Sequence, residues 1–92
     1  MAKELTAQRM GEIALLMLTA SFTNEVQEGI FDNKPENVDG EITDMSETLG
    51  INKGEVATFM TRIVQVAHEK RKAQSEHTHA EIIYELSRIA NK

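Results

Sequence analysis

Apolar residues recur along this chain every three or four positions rather than every second one, the spacing that lines one face of an α-helix. Met10, Ile13, Met17 and Ala20 form one stripe, and Ala14, Leu15 and Leu18 widen it, which predicts a first helix over about 4–28. Gly29 followed by Ile30 fits a left-handed C-terminal cap with an apolar residue just beyond it. Residues 30–39, IFDNKPENVD, hold the one proline and the turn-formers Asp32, Asn33, Asn37 and Asp39; they read as a loop that Ile30, Phe31 and Val38 pin to the core. A short helix over 40–49 follows, with Asp39 as its N-cap, Ile42, Met45 and Leu49 on one face, and Gly50 as its end. Asn52 and Glu55 have the spacing of a reciprocal capping box, so a third helix is expected over 53–72, burying Val56, Phe59, Met60, Ile63, Val64 and Ala67. Thr78 and Glu81 repeat that spacing and open a fourth helix over 79–91, with Ile82, Ile83, Leu86 and Ile89 inward. The expectation is an all-α, compact four-helix domain spanning 1–92, with a sharp corner at 50–52.

Composition narrows the chemistry. Ninety-two residues suit one domain, in the size range where a partner subunit often supplies part of the buried surface. With no cysteine, disulfides and thiolate zinc sites are excluded. The opening MAKELTAQRM has acidic and polar residues where a signal peptide needs an apolar core, and the densest apolar run is only IALLML at 13–18, so a cytoplasmic protein without a membrane span is expected. The net charge of −5 is unevenly spread: residues 35–50 carry five acidic side chains and no basic one, whereas 51–74 carry five basic and two acidic.

The stretch from Ile42 to Thr61, including LGINKGEVATFM, resembles the helix-turn-helix of phage and bacterial repressors. Met45, Leu49, Ile51, Val56 and Phe59 stand at the five apolar positions that hold the two helices together, and Gly50 stands at the turn, where positive φ is required. Ser46 replaces the alanine usual four residues before that glycine, a small residue for a small one. The resemblance implies groove-facing contacts from Asn52, Lys53, Thr58 and Thr61, with Arg62 near the DNA backbone. Asparagine suits adenine, and lysine suits guanine or phosphate. Lys70, in the run KRKAQS, is a further phosphate candidate. Two features point the other way: the preceding helix carries Glu41, Asp44 and Glu47, and the third helix is about twice the length of a usual recognition helix.

Other chemistry has weaker support. His68, His77 and His79 lie near Glu69, Glu76 and Glu81, but His77 and His79 are two apart and do not share a helical face, so solvated polar roles are expected rather than a metal site. No cysteine nucleophile, glycine-rich phosphate loop or serine or carboxylate pair selects a mechanism, so neither an enzymatic activity nor a cofactor is expected. The breadth of the apolar stripe on the first helix points instead to protein–protein association, including a homodimer formed through Ile13, Leu15, Leu16, Met17, Leu18 and Phe22. The alternative is a small phage-like transcriptional regulator in which the second and third helices read DNA.

Overall fold

The computed structural model describes residues 5–20, 35–71 and 75–91, and they form four α-helices: α1 (Ala7–Thr19), α2 (Val38–Leu49), α3 (Lys53–Arg71) and α4 (Glu76–Ala90). The protein is all-α, as its apolar periodicity requires.

Helix α1 begins at Ala7 rather than near Glu4 because Thr6, in an extended conformation, is its N-cap: the Thr6 hydroxyl accepts from the Arg9 N–H at 3.0 Å. The helix closes at Thr19 with Ala20 as C-cap. The expected continuation to Glu28, the Gly29 cap and the anchoring residues Ile30 and Phe31 fall outside the described residues. Ile13 and Met17 point into the protein's own core. They were expected at an oligomer interface, and their burial inside one chain removes them from it.

A single 3-10 turn, Pro35–Asn37, leads into α2, which starts at Val38, two residues earlier than expected. Proline's fixed φ suits the first turn of a helix. The early start places Val38, Ile42 and Met45 at i, i+4 and i+7 on one fully buried face. Asp39 is thereby moved from the cap into the first turn, where its carboxylate meets Lys53 Nζ at 2.6 Å.

Gly50 ends α2 in the left-handed region, φ 69° and ψ 32°. The Ser46 carbonyl accepts from both the Gly50 N–H (2.9 Å) and the Ile51 N–H (3.2 Å), a Schellman-like closure. The Ser46 hydroxyl donates to the Ile51 carbonyl at 2.7 Å, so one small residue fastens both sides of the turn. Two residues later Asn52 caps α3, its Oδ1 accepting from the N–H of Gly54 (2.7 Å) and of Glu55 (3.3 Å). A Cβ at position 54 would lie 3.0 Å from that oxygen, which explains a glycine in the first turn of α3. The other half of the expected capping box is not made, because Glu55 turns away to an arginine on α1.

Helices α3 and α4 form the most extensive pairing of described elements, and α2 lies against both. Val56, Ala57, Phe59, Met60 and Val64 of α3 share the core with Ile82, Leu86, Ile89 and Ala90 of α4. Leu49, Ile51, Ile63 and Ile83 pack partly buried around it. Helix α4 starts at Glu76, three residues before the expected position. Its cap is Ser75, whose hydroxyl accepts from the Thr78 N–H (3.1 Å) and donates to the Thr78 hydroxyl (2.9 Å). No helix among the described residues is long and apolar enough to cross a membrane.

Replacing Gly50 by valine should lower the unfolding free energy by roughly 1–3 kcal/mol, because a β-branched residue is strained at positive φ. A Cβ at Gly50 meets no described atom within 4 Å, so the loss is conformational and Gly50→Asn should recover most of it. Urea denaturation of the three proteins checks this, and an unchanged midpoint for Gly50→Val would contradict it.

Candidate interaction surfaces

Two regions bear on function: the outer face of α1, and the corner with the exposed side of α3. On α1, Leu15 is 64% exposed and Leu18 60%, whereas Leu16 is 37% exposed. At about 100° per residue, Ala7, Gly11, Ala14, Leu15 and Leu18 fall within an arc of about 100°, and all five are exposed. Leu16 lies about 160° from Leu18 around the helix and belongs to another side. The arc holds no charged residue. Gln8, Glu12 and Thr19 form a polar edge along one flank. Phe22, the remaining interface candidate, falls outside the described residues.

The charges of α1 are drawn toward α3. Arg9 holds Glu55 through two parallel bonds, Nε to Oε2 and Nη2 to Oε1, both 3.0 Å, while Nη1 reaches Glu12 at 3.0 Å. This fork geometry is the strong form of an ion pair. It raises the Arg9 pKa above its ordinary value, the bonds to Glu55 contributing most and that to Glu12 next. Apart from this pair, Ile13 and Met17 are the main attachment of α1 to the other described helices, among which α1 is the least engaged.

The DNA-contact candidates separate into two groups. Thr58, Thr61 and Arg62 lie with Gln65 along one side of α3 and line a shallow open cleft of about 230 Å3 with Ser87 of α4 and Asn91, the C-cap of that helix. The hydroxyls of Thr58 and Thr61 donate to the carbonyls of Gly54 (2.9 Å) and Ala57 (2.8 Å) one turn back. Lys53 is directed to α2 by its bond to Asp39, and the side-chain Oδ1 of Asn52 is committed to capping. Lys70 is exposed two turns beyond Arg62. Among the described residues Arg62 and Lys70 take part in no ion pair, and Asp44 and Glu47 are exposed on α2.

The histidines depart most from expectation. His68 is only 7% exposed, and its ring stacks on that of His79 with centroids 3.9 Å apart and planes 7° from parallel. Its Nε2 lies 3.0 Å from Oε1 of Glu76, within hydrogen-bond distance. The pair joins the C-terminal part of α3 to the first turn of α4, a structural role rather than a solvated one. His77 remains exposed, 2.8 Å from Glu81 one turn on. No group of three or more His, Asp or Glu among the described residues converges as a metal site. Composition alone gives no sign of the stack, because it depends on two helices meeting.

No protein-family model, no curated protein and no solved structure matches this chain.

The bidentate pair ties α1 to α3 through a single side chain of each. Arg9→Gln should speed amide hydrogen exchange across residues 7–19 while the slowest amides of α3 and α4 keep their protection, because local opening follows local contacts. Uniformly faster exchange throughout the chain would show that α1 does not open separately.

Proposed function

We propose that this protein acts by association with protein, including with itself, through the outer face of α1. The observation that carries this reading is the arc of Ala7, Gly11, Ala14, Leu15 and Leu18, uncharged and exposed, with two leucines more than half open to water. Fully covering one leucine is worth about 1.5–3 kcal/mol, so a partner that covers both gains a useful share of a binding free energy. Sedimentation velocity at high micromolar concentration should detect a dimer. Leu15→Glu should abolish it by placing a charge in the contact, while leaving the monomer folded, since Leu15 lies outside the core. A monomer at that concentration would remove self-association.

A second reading, DNA recognition by the corner, draws support from the left-handed Gly50, the buried Met45, Val56 and Phe59, and the shared side of Thr58, Thr61 and Arg62. Against it stand the Lys53–Asp39 pair and the exposed carboxylates of α2, which lower the positive potential that a phosphate backbone needs. The association reading expects only weak duplex binding without sequence preference in fluorescence anisotropy at low salt. The DNA reading expects tight binding with a log–log salt slope of about −0.9 per phosphate contact, and an Asn52→Ala variant that loses roughly 1–3 kcal/mol of site preference. Selection of one duplex family from random sequence would favour DNA recognition.

A further inference from the structure

We infer that the partner of the α1 face is a second copy of this chain, packed antiparallel along α1 with Leu15 and Leu18 of each copy over the small residues of the other. The inference rests on the association reading and specifies its geometry.

A two-fold interface must be complementary to itself. The exposed arc of α1 is graded in size along its length, with Ala7 and Gly11 in the N-terminal half and Leu15 and Leu18 in the C-terminal half. In a parallel pair, leucine meets leucine at one end and the small residues leave a gap at the other. A two-fold axis between Gly11 and Ala14 instead sets Leu18 opposite the other copy's Ala7 and Leu15 about 1.5 Å along the axis from its Gly11, so each bulge meets a hollow. The arc has no charge for a partner of opposite sign to read, and a second copy presents the same uncharged surface.

Two further observations agree. Gly11 lies in the second turn of α1, inside the helix, although glycine is the least favourable helix residue after proline. No described residue requires it, because a Cβ there meets no described atom within 4 Å. Gly40 is similarly open but lies in the first turn of α2, where interior propensity counts for less. A close approach from outside supplies the reason for glycine at position 11. Helix α1 also has no acidic residue in its first turn and no basic residue in its last, so no side chain of those two turns offsets its dipole. An antiparallel neighbour places opposite ends together.

A helix of 13 residues is about 20 Å long, and one such pairing is small beside the roughly 800 Å2 per partner of a standard stable interface. The dimer should therefore exchange, with a dissociation constant in roughly the micromolar range.

The chain has no cysteine, so introduced thiols report without background. Ala7 and Leu18 are both exposed, and positions 7 and 18 are about 16 Å apart along the axis, far beyond disulfide reach. Mixing Ala7→Cys with Leu18→Cys full-length protein under mild oxidation should give a cross-linked heterodimer, with little cross-linking of either variant alone. Self-cross-linking of Ala7→Cys would mean a parallel pair, overturning this geometry while sparing association through α1. A dimer seen by sedimentation but cross-linked by neither variant nor the mixture would place self-association on another surface and overturn both readings of α1. A monomer throughout would overturn this inference together with self-association. Gly11→Leu provides a second measurement: its melting temperature should equal or exceed the parent's, while dimerisation weakens at least tenfold. Dimerisation as tight as the parent's would overturn the close approach at Gly11.

Discussion

The left-handed turn at Gly50 is the constraint on which the rest of the arrangement depends. Without positive φ at that residue, α2 and α3 have no abrupt change of direction, and Met45 cannot share one core with Val56 and Phe59. Ser46 secures the change by bonding to both Gly50 and Ile51, and Asn52 starts the next helix within two residues. The buried side of α3 then becomes the surface on which α4 and α1 assemble. A corner of this kind serves a helix-turn-helix reader and an ordinary helical core equally well, so its presence alone does not assign function.

Helix α1 joins this core by a division of its own side chains. Ile13 and Met17 are inward and Arg9 clamps Glu55 from the same flank, which leaves Leu15 and Leu18 outward. An amphipathic helix ordinarily presents a polar outer face. Here the outer face is apolar and small, and its few charges are engaged to one side. That inversion underlies the proposal of association, and it also explains why the stripe read as unusually wide: two separate faces are superimposed in one sequence.

The stacked His68 and His79 extend the α3–α4 pairing beyond its aliphatic part. The His68–Glu76 bond brings the first turn of α4 to the C-terminal part of α3, and Ser75 caps the helix where this contact is possible. Had α4 begun at His79, that residue would lie at a helix start rather than within a formed first turn. The tertiary contact and the local cap thus agree on the earlier start.

Features that involve only neighbouring residues were legible from the sequence. Apolar spacing gave the four helices, the glycine gave the corner, and Asn52 gave the α3 cap, since each acts over one helical turn or less. Features decided between distant residues were not. Glu55 satisfies the local pattern of a capping box equally well, but Arg9, 46 residues away, offers a charge-assisted fork that the backbone N–H of Asn52 does not match. Ser75 and Thr78 both head acceptable caps, and packing selects the first. Likewise Ile13, Leu15, Met17 and Leu18 are all strongly apolar, and only the position of α3 determines that the first and third are covered while the second and fourth face water. The sequence by itself determined which segments are helical and where the chain turns, because those choices are made by local backbone energetics; the tertiary structure decided which charges pair and which apolar face is left for a partner, because those depend on what the fold brings within a few ångströms.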